Sequence, residues 1–196
     1  SLPWRACIWP MKPLESSGKE RERTMKIPPI ETPRLLLRGF TKEDALWAFR
    51  IWNDPEVGKY LPDEPMLEPD PEYIRELEKL GDDEECCYLI PTMKERPEQR
   101  VGTCSFLPLD EGKTYDLAYC VHPYFWKQGY ATEMAQGMIE YARRQGAEKA
   151  TMWVSAENAA SCRVAEKCGG IAATEKTYHK RNTDLVMKEI RYDITL

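Results

Sequence analysis

The run Tyr115-Asp-Leu-Ala-Tyr-Cys-Val-His-Pro-Tyr-Phe-Trp-Lys-Gln-Gly-Tyr-Ala-Thr-Glu-Met134 decides how the chain is read. It is a strand, then a tight polar turn, then the start of a helix. A helix N-terminus leaves four backbone N–H groups without intrahelical acceptors and carries about half a positive charge, so the turn at residues 127–131 is suited to an anion. Gly129 permits close backbone approach, and the small Ala131 keeps the first turn uncrowded. A phosphate is the natural guest. The spacing matches neither a P-loop, since no Gly-Lys-Ser/Thr follows, nor a dinucleotide Gly-x-Gly-x-x-Gly. On these residues alone a plain helix-opening turn is an equal reading.

Outward from this run, Ala131, Met134, Ala135, Met138 and Ala142 recur at helix spacing, and Gly146 closes the segment. The two methionines belong to that core stripe. Residues 151–155 read as a strand, 159–167 as a helix ended by Gly169 and Gly170, and 171–178 and 184–194 as two final strands. Upstream, residues 34–40 make a strand bounded by Pro33 and Gly39. Thr41 with Asp44 opens an amphipathic helix through Trp52. Residues 54–71 read as an acidic, proline-dense loop, 73–80 as a surface helix ended by Gly81, and 86–93, 100–109 and 114–121 as an antiparallel meander. The order predicts a single α+β (mixed α/β) domain around one central sheet. Residues 1–24 combine prolines, Ser16-Ser17-Gly18 and a charged run, and read as a leader or disordered extension. The folded domain is expected to span 25–196.

The 196 residues are 42% hydrophobic and 31% charged, ordinary for one globular domain. The apolar runs are strand-length, which argues against a membrane protein, and seven cysteines without framework spacing suggest a reducing cytoplasm. Residues 54–85 hold 13 acidic side chains against three basic ones, within a net charge of -5. That distribution argues against a nucleic-acid binder and offers an electrostatic lure for a cationic partner, although a solvated acidic surface is the equal alternative. With two histidines and no ligand spacing, no metal site is expected.

Three ordered motifs, Glu31-Thr-Pro-Arg-Leu-Leu-Leu-Arg38, the run from Tyr119 to Glu133, and Glu157-Asn-Ala-Ala-Ser-Cys-Arg-Val-Ala-Glu-Lys-Cys-Gly169, together resemble the GNAT acyltransferase superfamily, closest to its ribosomal-protein-alanine N-acetyltransferase-like branch. The resemblance covers nearly everything from residue 30 onward. It implies a mostly antiparallel central sheet splayed at the cofactor site and flanked by helices, with acetyl-CoA as acyl donor and no metal. The pantetheine arm would lie where residues 117–121 part from 151–155, and Trp126, Lys127, Gln128, Gly129, Tyr130 and Ala131 would form the pyrophosphate turn. Asn158 matches the asparagine that contacts the cofactor. The chain departs from the general pattern at Trp126, at Ala165, where many relatives carry a tyrosine acting as acid, and at Gly170, where a phenylalanine is common.

Acyl transfer to an amine needs a neutral nucleophile, a polarised carbonyl and a stabilised leaving thiolate. Asp116 aligns with a catalytic carboxylate of the branch and is the expected general base, a strand-end carboxylate facing water being the alternative. Ser161, on the same helix face as Asn158, is the expected donor to the departing sulfur, unless its hydroxyl only satisfies a helix carbonyl. A strand N–H at Cys120 or Val121 would polarise the thioester carbonyl. The Cys120 thiol itself reads as inert and buried, and His122 as a turn residue. The acceptor would be a primary amine, either a protein N-terminus or a small, cationic amine. The alternative is a non-catalytic CoA-binding sensor or interaction protein of the same fold. The oligomeric state stays open, a dimer included.

Overall fold

The computed structural model describes residues 25–196, so the expected leader lies outside the described residues. Strand β2 (Leu35–Gly39) buries Leu35 and Leu37 completely and is flanked by the short β1 (Ile30–Glu31). Helix α1 (Ala45–Trp52) follows a capping box in which Asp44 accepts from the N–H and hydroxyl of Thr41. Asp44 is also gripped by Arg38 at 2.7 and 2.9 Å and by Arg100 at 2.7 Å. Burial alone would raise its pKa, but the Arg38 and Arg100 hydrogen bonds outweigh it and hold the carboxyl at about 2. Its stabilising contribution is therefore complete above the ordinary carboxylate range and lost as pH falls through about 2. Asp44→Asn is expected to cost about 3 kcal/mol, read as a lower urea midpoint, because two arginines lose a buried counter-charge.

The acidic loop contains a short helix α2 (Pro55–Gly58), and α3 (Pro71–Leu77) follows. Both start at an Asp-Pro pair: Asp54 and Asp70 accept from backbone N–H groups of the first turn, so part of the segment's acidity is helix capping. Next come β3 (Cys87–Met93), β4 (Arg96–Arg100), β5 (Gly102–Leu109), β6 (Thr114–Val121), α4 (Tyr130–Arg144), β7 (Lys149–Ser155), α5 (Ala159–Lys167), β8 (Ile171–His179) and β9 (Val186–Thr195). The polar turn expected around Pro97 is an edge strand, β4, paired to β3. The second helix begins two residues earlier than its apolar pattern, at Pro71, and stops at Leu77, with Gly81 in a separate 3-10 turn. No helix among the described residues is long and apolar enough to cross a membrane.

Among the described residues the strands form one mixed sheet in the order β1-β2-β3-β5-β6-β7-β9-β8, antiparallel throughout except where β6 runs parallel to β7. That parallel pairing extends from Thr114↔Lys149 to Leu117↔Met152 and stops. Both strands continue, β6 on β5 as far as Val121↔Gly102 and β7 on β9 as far as Ser155↔Glu189. The sheet therefore forks while neither strand ends. Gly102 lets β5 and β6 close up beyond the fork, since an added Cβ would collide with the Cys120 carbonyl oxygen.

Strand alternation divides the interior in two. On one face Tyr115, Leu117, Tyr119 and Val121 of β6 pack with the buried stripe of α4, including Met134 and Met138, and with α5. On the other, Ala118 and Cys120 pack with α1 and α3, and Asp116 shares that face with Leu107 opposite it.

Candidate active site

The turn before α4 is built from two left-handed residues, Lys127 at φ 60° and Gly129 at φ 83°. Such alternation points successive N–H groups into one concavity, to which the first turn of α4 adds its own unpaired N–H groups. Glu133 N, the first intrahelical donor, reaches Gly129 O at 3.1 Å. The turn is braced from behind. Arg34 donates to Gln128 O at 3.0 Å and to Glu133 at 2.7 Å, and its guanidinium lies 4.1 Å above the Tyr130 ring. Glu133 also accepts from Thr32 Oγ1 and Arg34 N, both at 2.7 Å. Trp126 donates from its indole to Val121 O at 2.7 Å, and Gln128 from its amide to Tyr124 O at 3.1 Å. Ala131 packs against the core. Through residues 126–131 the surface left for an anion is therefore largely main chain, with the exposed Lys127 beside it.

Past the fork, His122 N donates to Val101 O at 2.9 Å, on the β5 side. Backbone groups alternate along a strand, so Cys120 also addresses β5, whereas Tyr119 and Val121 turn their N–H groups into the gap. The Cys120 thiol sits on the α1 face, where burial pushes it up to about 12, an inert group as its apolar setting suggested.

Asp116 stands at the root of the fork, level with Thr151 of β7, and only 3% of it is exposed. Thr151 Oγ1 donates to its carboxylate at 2.5 Å. Burial pushes the carboxyl up to about 6, against the opposing pull of Thr151 and the more distant Lys176 and Arg191. The neighbouring charges are paired off: Lys176 with Glu189 at 3.3 Å while lying 4.1 Å over the Trp153 ring, and Arg191 with Asp193 at 2.7 and 3.1 Å. Among the described residues Asp116 is thus a buried carboxylate without a contacting cation, a good proton acceptor near neutral pH. Ser155 Oγ and the Tyr178 hydroxyl are buried in the same cleft without a hydrogen-bond partner among the described residues.

On the opposite face Asn158 caps α5, its Oδ1 accepting from Ser161 N at 3.1 Å. Ser161 Oγ meets the Tyr119 hydroxyl at 2.9 Å, so its contact is with β6 rather than with a carbonyl of its own helix. A continuous cleft of about 1180 Å³ joins these parts, running from the turn, through the fork, to Asp116 and the β8–β9 hairpin. Its far wall is held by Lys180, which donates to Gly58 O at 2.7 Å and Lys59 O at 3.1 Å, and by Arg181 paired with Asp63. Of the acidic segment, Glu56 faces the cleft directly.

All the expected site residues border this cleft or form the turn at its end. Thr151, Tyr119 and the Arg34–Glu133 brace went unsingled in the sequence reading. Tyr119 and Asp116 have opposite parity on one strand, a signal that separates their faces. Arg34 lies in the first motif, but its contact with the turn spans nearly a hundred residues and has no local signature.

A forked sheet over an anion-cradling turn is an acyltransferase architecture, and the comparisons agree. A family model described as Acetyltransferase (GNAT) domain matches residues 34–171. The chain belongs to this family of acetyltransferases. YnaD of Bacillus subtilis (strain 168), described as an uncharacterized N-acetyltransferase, is 28% identical over 141 residues, covering 71% of this chain and 81% of the relative. The structure of RimL, a ribosomal L7/L12 alpha-N-protein acetyltransferase in complex with coenzyme A, superposes with a TM-score of 0.72 at 17% identity, covering 86% of this chain and 98% of that one. Spermidine N-acetyltransferase from Vibrio cholerae, in complex with CoA and spermine, gives 0.70 at 16%, covering 82% and 95%. At such identities these two structures share the fold.

Proposed function

We propose that this chain transfers an acetyl group from acetyl-CoA to a primary amine by direct attack, with Asp116 as general base and Ser161 as hydrogen-bond donor to the leaving sulfur. The observation that carries the reading is Asp116: a buried carboxylate pushed up to about 6, without a contacting cation among the described residues, at the root of the fork. The donor set suits the cofactor. The left-handed turn and the open helix end match a pyrophosphate, and the unpaired halves of β6 and β7 match an amide-bearing arm. Acetyl-CoA would supply an activated acyl carbon and a thiolate leaving group.

The chain's own residues do the rest. The N–H groups from Lys127 to Ala131 would hold the diphosphate, and Asn158, whose side-chain oxygen is spent on the cap, would offer its amide nitrogen to the arm. Val121 N–H polarises the carbonyl, a single preorganised donor being worth on the order of 3 kcal/mol. Asp116 takes the amine proton. A carboxylate near 6 is better matched to an α-amine, with a pKa near 8, than to a lysine-like amine near 10.4, which favours a protein or peptide N-terminus. Ser155, Tyr178 and Glu56 offer polar contacts to it across the cleft.

The test is thiol release from acetyl-CoA over a panel of N-terminal peptides, an internal-lysine peptide with a blocked N-terminus, and spermidine. Turnover is expected, fastest on a free N-terminus. Tight CoA binding with no thiol release on any amine would overturn catalysis in favour of a CoA-binding sensor. The brace makes a separate prediction: Arg34→Ala should raise KM for acetyl-CoA about tenfold, the loss expected for a charged hydrogen bond, and leave KM for S-acetylpantetheine unchanged. Steady-state kinetics with both donors checks it.

A further inference from the structure

The hydrogen bond between Tyr119 and Ser161 joins β6 to α5 across 42 residues, just beyond the point where β6 and β7 part. Given Ser161 as the donor to sulfur, on which this inference rests, we propose that Tyr119 is its positioning residue: the phenol donates to Ser161 Oγ, so that the serine hydrogen points into the fork at the leaving thiolate.

Five points converge. Ser161 is fixed at the backbone, its N–H held by Asn158 Oδ1, and the Tyr119 contact fixes its Oγ, so the hydroxyl torsion alone sets where its hydrogen points. A phenol is a stronger acid than an aliphatic alcohol, so between the two hydroxyls the favoured direction is Tyr119 donating and Ser161 accepting. That direction frees the serine hydrogen for a third atom, and the cleft is where that atom would lie. Ala165, one turn along α5 from Ser161 and fully buried, offers no competing hydroxyl, so α5 draws its polar partner from the strand. Burial raises the Tyr119 phenol far above neutrality, which keeps it protonated and donating throughout the working pH range.

The step balances without ionising either hydroxyl. The amine nitrogen forms a bond to the acyl carbon, the carbon–sulfur bond breaks, and sulfur leaves with the electron pair. The amine proton goes to Asp116. Tyr119 and Ser161 stabilise the thiolate as a two-link chain of hydrogen bonds, each link polarising the next, and the thiolate takes its proton from water on release.

The test is a cycle of Tyr119→Phe, Ser161→Ala and the double variant, with Ser161→Thr as the hydroxyl-retaining control. It is assayed with acetyl-CoA and the best amine of the panel above. Tyr119→Phe removes one oxygen and no carbon, so the packing on α5 is kept. Ser161→Ala should lower kcat about thirtyfold and Tyr119→Phe about tenfold, the range for hydrogen bonds to a charged group. KM for acetyl-CoA should stay within about twofold of wild type, and the acidic limb of the Tyr119→Phe profile should remain near pH 6, where Asp116 sets it. The double variant should be no slower than Ser161→Ala, and Ser161→Thr should recover most of the rate. Wild-type kcat in Tyr119→Phe, a loss confined to KM, or losses that multiply in the double variant would overturn the role of Tyr119 while leaving Ser161 in place. Full activity of Ser161→Ala would overturn the donor assignment and the chain with it. A wild-type protein that acetylates none of the amines would remove the proposed function itself.

Discussion

Asp116→Asn is expected to lower kcat about a thousandfold and, in the same molecule, to raise thermal stability. The first effect is the loss of a positioned base, worth about 10² to 10⁴ in rate. Wild-type kcat/KM should fall with unit slope below about pH 6, and the variant should lose that limb. The second effect follows from linkage. A folded-state carboxyl at about 6, against about 3.9 unfolded, favours the native state fully below the unfolded value, and that favour is lost as pH rises through 6. At pH 7.5 keeping the ionised carboxylate buried costs about 3 kcal/mol, and asparagine removes the charge while still accepting from Thr151. Thermal melts at pH 5 and 7.5 read the difference: the gain at 5 should be about half that at 7.5. Near-normal turnover, or equal gains at both pH values, would show that Asp116 is a structural strand residue.

Gly129→Asp is expected to weaken CoA binding about a hundredfold, since like charges brought together across an interface cost several kcal/mol. Aspartate tolerates the left-handed conformation better than most residues, so the backbone at φ 83° can persist and charge becomes the variable. An added Cβ would sit 3.5 Å from the Arg34 guanidinium, an ordinary contact, so the side chain fits beside the turn and sets a negative charge at the edge of the proposed diphosphate site. Gly129→Asn is the neutral control and should lose far less. Isothermal titration with CoA and with pantetheine checks the assignment: the loss should appear with CoA and vanish with pantetheine. Equal losses for both ligands would place the diphosphate elsewhere.

Much of this was legible in the chain because the deciding signals are local. The strand, turn and helix of residues 115–134 announce themselves through Pro123, Gly129 and the methionine stripe, and Asn158 and Ser161 stand three apart at a helix start. What was not legible is set by distance. Whether Asp116 faces water or the interior depends on β7 lying beside β6, a pairing across 35 residues, and its raised pKa exists only once Thr151 and the far wall enclose it. Strand β4 was hidden because Pro97 and four charged or amide side chains read as a turn, and only an unpaired sheet edge makes that composition acceptable in a strand. The acidic segment read as a field, yet two of its carboxylates, Asp54 and Asp70, are committed to helix starts by Asp-Pro pairs.

The opposite parity of Asp116 and Tyr119 on one strand makes the sheet a septum. In the proposed reaction, proton uptake would fall to the compartment under α1 and α3 and sulfur departure to the one under α4 and α5, and the two communicate through the slot where β6 and β7 diverge. Each compartment has its own hydrophobic lining, so substitutions that recut the acceptor room around α1 and α2 leave the donor room's packing untouched, whereas β9 also feeds the donor room through Ile190, Tyr192 and Ile194. A lineage built on this plan can change clientele without relearning how to hold its donor.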